Sequence, residues 1–319
     1  MRVLITGGAG FIGSHLVDRL LAAQQRGEPA YELVIFDNLR RGRRAHLEPH
    51  LSAGRVRLIE GDIRDEAALG AALQDVEIVF HLAAQANVIG SEADKDYAFT
   101  TNVVGTYTLL KTAERAGVRR VIFSSSREVY GDPETLPVRE IAPLAPKNAY
   151  GASKVAGEMY FRIAQAHQTL ETVIFRLANV YGPRDSERVI PLWIERARQG
   201  QELPLYGGDQ LIDFVWVGDV VEALARAALP DHQHLVGQTV NIGTGSGTPI
   251  LELAQRILAL SGSQSTLRQL PARSVEVRRY VADVCRLEDL LGLKPEPNLA
   301  HLPTMIASYT DSMIAVSRQ

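Results

Sequence analysis

The amino-acid sequence predicts an α/β protein, a doubly wound parallel sheet with helices on both faces and a smaller C-terminal α/β lobe. Three observations predict it. Short apolar, β-branched runs alternate with longer stretches of helical periodicity through residues 1–180. A glycine-rich turn joins the first run to the first helix. The alternation breaks after Tyr181-Gly182-Pro183, where Gly and Pro become frequent and the runs shorten. Strands that alternate with helices require right-handed crossovers and a parallel sheet, and such a sheet binds ligands outside the carboxyl ends of its strands. Functional groups are therefore expected just after each run.

The runs are, in order, Val3–Thr6, Leu33–Phe36, Val56–Ile59, Ile78–His81, Val121–Ser124 and Val173–Arg176, each strand-sized and each followed by helical spacing. Leu203–Tyr206, Asp213–Val217 and Thr239–Ile242 read as strands of the smaller lobe. The expected division is 1–180 and 181–319, with the chain free to interleave. No low-complexity linker separates the two, so a cleft between packed lobes is expected rather than domains on a tether.

With 319 residues, 46% hydrophobic, 22% charged and a net charge of -3, the composition is that of a globular protein and not of a disordered or fibrous one. It gives no nucleic-acid footprint; the basic run Arg40, Arg41, Arg43 and Arg44 reads as a solvated loop. A single cysteine, Cys285, excludes an intrachain disulfide and a Cys-cluster metal site, which points to a reducing compartment and a cytoplasmic location. No metal is expected. The first strand begins directly after Met1-Arg2, without a cleavable signal, and nowhere are there the roughly 18 uninterrupted apolar residues of a membrane helix, so no membrane partner is expected.

The first run leads into Gly7-Gly8-Ala9-Gly10-Phe11-Ile12-Gly13. Gly7 permits the tight turn, Gly10 lets backbone approach a pyrophosphate, and Gly13 allows close packing of a helix whose N-terminus faces the phosphates. The second run ends in Asp37, about 20 residues on, where a carboxylate can accept hydrogen bonds from an adenosine ribose. Together they predict a Rossmann-type dinucleotide site. Asp37 would repel a 2′-phosphate, so NAD is favoured over NADP, with Arg40 and Arg41 nearby as the opposing feature.

The segment TGGAGFIGSHLV resembles the extended short-chain dehydrogenase/reductase family, in particular its NAD-dependent sugar-nucleotide epimerases and dehydratases. The resemblance covers essentially the whole chain, densely to Pro183 and sparsely beyond. It implies that Asn38 and the Gly61-Asp62-Ile63 segment, through Asp62 and Ile63, serve the adenosine end of NAD. It also implies that Leu82, Ala83 and Ala84 after His81 face the nicotinamide side, and that Asn102 props the active-site helix.

Tyr150 and Lys154 lie in Tyr-Gly-Ala-Ser-Lys, a spacing that places both on one helix face. For a tyrosine to act as a base its pKa must fall from about 10 to near 7, about 4 kcal/mol of preferential stabilisation, and a nearby ammonium and a positively charged nicotinamide ring act in that direction. By resemblance, Tyr150 is the acid/base and Lys154 also binds the nicotinamide ribose. Ser124-Ser125-Ser126-Arg127-Glu128-Val129-Tyr130-Gly131 is similar to the family's SSSxxVYG, in which Ser126 bonds the reacting sugar oxygen, Ser125 contributes to the substrate side and Ser124 lies nearer the cofactor. The implied chemistry is oxidation of a sugar to a 4-keto intermediate with NAD. Return of hydride to the opposite face is then 4-epimerisation of the UDP-glucose/UDP-galactose type.

Arg127 and Glu128 bear on the alternatives. The dehydratases resemble an Asp-Glu pair here, the Asp protonating the departing 6-hydroxyl; a guanidinium cannot serve. Glu128 matches the dehydratase base and also looks like the UDP-glucuronate decarboxylases. Arg127 can bind a substrate carboxylate, or pair with Glu128 or the loop backbone. Against a uronate, Gln85-Ala86-Asn87-Val88-Ile89-Gly90 lacks the Arg of similar glucuronate epimerases.

Asn179 corresponds to an Asn that contacts sugar or phosphate; Val189, Ile190, Leu205 and Tyr206 resemble the segments that sandwich the nucleotide base, or alternatively form lobe core. Arg278 is placed like a late Arg that clamps the diphosphate. Ile212 stands where the family commonly has another diphosphate Arg, with Arg184, Arg188 or Arg279 as substitutes. A non-catalytic NAD sensor or partner-binding protein is the reading from another class, and the intact Tyr150, Lys154 and Ser126 oppose it. A homodimer through Val103–Ala116 and Ala152–Ala166 is implied by the resemblance.

Overall fold

The computed structural model describes residues 1–316. In chain order the first half supplies β1 (Arg2–Thr6), α1 (Phe11–Leu21), β2 (Glu32–Asp37), α2 (Glu48–Ser52), β3 (Val56–Glu60), α3 (Glu66–Ala72), β4 (Ile78–His81), α4 (Val88–Ala93), α5 (Lys95–Phe99), α6 (Thr106–Arg115), β5 (Arg120–Ser126), α7 (Ala149–Ala166) and β6 (Glu171–Leu177). The remainder supplies β7 (Asn179–Tyr181), α8 (Val189–Arg198), β8 (Leu203–Tyr206), β9 (Leu211–Trp216), α9 (Val217–Arg226), β10 (Thr239–Ile242), β11 (Gly247–Pro249), α10 (Ile250–Leu260), β12 (Leu267–Leu270), β13 (Arg279–Tyr280), α11 (Cys285–Leu291) and α12 (Leu302–Val316).

The main sheet has the order β10-β6-β5-β4-β1-β2-β3, with every pairing parallel. Period-2 alternation divides its side chains. Val3, Ile5, Ile35 and Phe80 pack with Leu16 and Val17 of α1 and Val220 and Leu224 of α9, while Leu4, Val34, Val79 and Phe123 pack with Leu109 of α6 and Phe161 of α7. The strand order reverses between β1 and β4, where a doubly wound sheet opens its crevice. There Thr6 and His81 are in register and joined, Oγ1 to Nδ1, at 2.8 Å.

The smaller lobe is built on β9, which pairs with β7, β11 and β13, beside a separate parallel pair of β8 and β12. Helices α8, α10 and α12 cover a core of Tyr181, Trp193, Phe214, Leu253 and Met305. Two expectations are corrected. Thr239–Ile242 is an edge strand of the main sheet, Val240 opposite Phe175, because a fully buried apolar run fits either sheet and pattern alone does not select its partner. Val217 starts α9 instead of ending a strand. The chain thus returns to the first lobe through α9 and β10.

Candidate active site

A cavity of about 630 Å³ opens at the carboxyl ends of β1, β4 and β5 and extends to the smaller lobe. Its cofactor-facing end begins at the glycine turn. Gly7 adopts φ +73°, and a Cβ there would come within 2.7 Å of the Ala83 amide nitrogen; one on Gly13 would come within 2.2 Å of the Gly7 carbonyl oxygen. Only glycine permits this closure of turn, helix and neighbouring loop. Gly10 caps α1 with no side-chain bond, so the first-turn amides of Phe11, Ile12 and Gly13 are left for a ligand, and all four residues line the cavity.

Asp37 closes the other side of that end. Its carboxylate accepts the Ala9 and Leu39 amides at 2.9 Å each, and burial pushes its pKa up against those bonds. Asn38, Ile63, Leu82, Ala83, Ala84 and Ser124 also line the cavity. The residues present fit a dinucleotide with a free adenosine ribose: an uncapped helix N-terminus for the diphosphate and a carboxylate beyond it. Arg40 and Arg41 line the same end, Arg40 stacked on the Tyr97 ring 3.7 Å from its centroid and Arg41 paired with Glu187.

Tyr150, Lys154 and Ser126 converge on the same cavity. The Lys154 ammonium donates to the Ser124 carbonyl at 2.7 Å, and burial pulls its pKa down to about 7 while Glu158 acts upward. Ser126 hydrogen-bonds the Tyr150 phenol. Without a dinucleotide, burial pushes Tyr150 up to about 12, against the lowering influence of Arg188 and Ser126. The Lys154 nitrogen lies 5.7 Å from the centre of the Tyr150 ring, on the same helix face.

At the sugar-facing side, Arg127 Nη2 lies 2.9 Å from Glu128 Oε1, Arg127 Nε donates to Asn179, and Asn148 donates to Glu128 Oε2 at 2.7 Å. The pairing of Arg127 with Glu128 is thus the one that forms. Val189, Ile190 and Tyr206 line the far end.

Ser125 lines the cavity at the end of β5 and donates to Glu158 at 2.6 Å. Four of the residues named from sequence lie elsewhere. Leu205 points into the lobe core, since Pro204 and Tyr206 occupy the cavity-facing positions of β8. Arg278 is exposed and paired with Asp209. Asp62 turns to Arg64 and Asn38, and the Arg64 bond holds its carboxyl down to about 2. Asn102, in a π-helical turn, binds the Gln85 backbone and donates to Ser153 at 2.9 Å. The Ser153 bond ties this turn to α7, and Asn102 is not part of the cavity wall.

The sequence reading missed Arg273, whose guanidinium stacks 3.6 Å from the Tyr206 ring centre and pairs with Glu276 at 3.0 Å inside the cavity. Parallel pairing of Leu270 with Tyr206 brings it there, a long-range effect with no local signal. Ile212 lines the cavity beside it, as do Arg184 and Arg188, whereas Arg279 does not.

Fold and site together define a dinucleotide-dependent α/β enzyme whose cavity brings Tyr150, Lys154 and Ser126 together. Residues 3–243 match the NAD dependent epimerase/dehydratase family, and the chain belongs to that family. It is 37% identical over 307 residues to a UDP-glucose 4-epimerase of Mycolicibacterium smegmatis, covering 94% of this chain and 95% of the relative. Its structure is similar to a dTDP-glucose 4,6-dehydratase of Streptomyces venezuelae solved with NAD bound (TM-score 0.92, 36% identity, 98% and 97% of the two chains). It is likewise similar to a UDP-glucose 4-epimerase of Thermotoga maritima solved with UDP-glucose (TM-score 0.88, 32% identity, 98% and 100%).

Proposed function

We propose that the protein is a nucleotide-sugar 4-epimerase that interconverts UDP-glucose and UDP-galactose through a transient 4-keto sugar. The observation that carries this reading is Arg127 at the position where dehydration needs an acid, within a cavity that keeps Tyr150, Lys154 and Ser126 together. The likeness to UDP-glucose 4-epimerases supports it.

NAD, when bound, accepts the C4 hydrogen as hydride and gives it back. The protein's residues manage the proton and the geometry. Ser126 hydrogen-bonds the sugar 4-oxygen and Tyr150 removes its proton, then returns it to the opposite epimer. Lys154 holds the nicotinamide ribose and contributes positive charge on the phenol's side of α7, which favours the phenolate. Arg273 and Arg188 serve the diphosphate in place of the arginine that Ile212 replaces, and Tyr206 with Val189 and Ile190 receives the base.

A second reading, decarboxylation of a UDP-uronate or dehydration of a nucleotide sugar, is favoured by Glu128, a buried carboxylate on the cavity wall. Incubation with UDP-hexoses, UDP-glucuronate and dTDP-glucose without added NAD tests both: an isomer of unchanged mass is expected, and loss of carbon dioxide or water overturns the first reading. A homodimer is part of the proposal, because Val104, Tyr107, Met159, Tyr160 and Ile163 expose a large apolar patch across α6, α7 and the turn before α6. Light scattering tests it. A cytoplasmic location is the matching expectation; among the described residues no helix is long and apolar enough to cross a membrane.

A further inference from the structure

Tyr150, Lys154 and Glu158 follow one another at four-residue spacing along α7, so the three side chains share one helix face. The third has no part in the chemistry described above. Glu158 is fully buried, where an unpaired carboxylate would cost several kcal/mol. Its Oε1 accepts the Ser125 hydroxyl at 2.6 Å and Arg176 Nε at 2.9 Å, its Oε2 accepts Arg176 Nη2 at 2.6 Å, and Arg162 lies 3.6 Å away. Arg176 is equally buried, and its remaining nitrogen donates to the Tyr130 hydroxyl at 2.8 Å and the Glu140 carbonyl at 2.9 Å. Ser125 stands between the two residues that hold the catalytic pair: the Ser124 carbonyl receives Lys154, and Ser126 bonds Tyr150.

We propose that Glu158 is a positioning residue for the reaction, one that locks the catalytic face of α7 to the end of β5 and places a buried negative charge on the Lys154 side of the helix. The proposal rests on the reading of Tyr150 and Lys154 as the working pair. The groups that face Lys154 include Tyr150 and Glu158 on its own helix, the His81 imidazole on β4, and the Ser124 carbonyl and Phe123 ring on β5, with Arg176 of β6 and Arg162 of α7 packed on Glu158. Burial holds His81 neutral at a pKa of about 3, so it brings no charge at neutral pH, and Glu158 opposes the burial that pulls Lys154 down. Removal of the carboxylate therefore lowers the pH at which Lys154 loses its proton.

Glu158→Gln strands a buried guanidinium and can fail to fold, so the charges are removed together in Glu158→Met/Arg176→Met, with Ser125→Ala as a milder probe. In the double variant kcat is expected to fall about tenfold or more with KM unchanged. The high-pH limb of kcat should move to lower pH. Ser125→Ala should lower kcat a few-fold and leave that limb in place. A folded double variant with the parent's kcat and pH profile overturns the proposal. If the parent protein turns over no nucleotide sugar, the epimerase reading fails by itself; the pH dependence of NAD affinity, followed by fluorescence quenching, still reports Lys154, and an unshifted profile in the double variant sinks the positioning role.

Discussion

The Arg127 guanidinium lies against the Glu128 carboxylate, Nη2 to Oε1 2.9 Å, while Asn148 holds the other carboxylate oxygen at 2.7 Å. Under the proposed function, this pairing bears on the fate of a keto sugar. Loss of water across C5 and C6 needs a proton donor for the departing hydroxyl and an available base, and here the donor position carries a group that keeps its proton while the base is engaged at both oxygens. We predict no product lighter by one water from dTDP-glucose or UDP-glucose. Arg127→Asp supplies an acid and frees one oxygen of Glu128, so mass analysis of its products should reveal some water loss; such a product from the unmodified protein would refute the prediction.

Tyr150→Phe keeps the ring and removes the group that moves the proton. General acid–base catalysis contributes about 10²- to 10⁴-fold, so kcat should fall by that range. Bound NAD, measured by absorbance after denaturation, should stay at the parent level, because the dinucleotide is held chiefly by the Gly7–Gly13 turn and Asp37. A variant as active as the parent would remove Tyr150 from the chemistry.

The legible parts of the molecule are those fixed by local chemistry. The Gly7–Gly13 turn, Asp37 at the end of β2 and the Tyr150/Lys154 pair each announce themselves within a few residues, because backbone φ, strand end and helix period are local properties. Arg273 was not legible. It reaches the cavity only because β12 pairs with β8, and Arg278, with the stronger motif around it, faces Asp209 outside. Leu205 shows the same limit on a smaller scale: a one-residue change of register decides whether a side chain meets the cavity or the core.

The segment 182–188 crosses onto the glycine-turn side of the cleft. His15 Nε2 meets the Pro183 carbonyl oxygen at 2.9 Å, Arg184 pairs with Asp18 at 2.8 Å, Arg41 pairs with Glu187, and Arg188 lies over the Phe11 ring at 5.4 Å. An enzyme that returns the hydrogen it removes has no need to release its cofactor between turnovers, and this strap stands beside the turn that would hold the diphosphate. Partly exposed ion pairs contribute about 0.2–1 kcal/mol each, so removing two of them with Asp18→Asn/Glu187→Gln should speed NAD loss about two- to thirtyfold. Timed ultrafiltration measures it. Equal retention by variant and parent would show that the strap does not hold the cofactor.

Acid stability gives a test of the packing that brings α9 back to the first lobe. Glu222 of α9 accepts Arg19 Nε of α1 at 2.7 Å and Arg226 Nε at 2.9 Å. Burial opposes its ionisation, but the arginine bonds overcome it and hold the carboxyl down from 4.5 to about 2. A folded-state pKa below the unfolded one stabilises the fold above the unfolded value, and that contribution is lost as the pH falls from about 4.5 toward about 2. Its size is about 2–3 kcal/mol. Glu222→Gln should therefore lower the urea midpoint clearly at neutral pH, with Arg19 still held by Glu28 at 2.6 Å so that the variant folds. At about pH 3.5 the gap between parent and variant should be narrower by more than about 1 kcal/mol, because the parent's carboxyl is by then losing its advantage over the unfolded chain. A gap that stays constant between the two pH values would mean that Glu222 contributes by shape and hydrogen bonding, and that its charge is not what fastens α9 to α1.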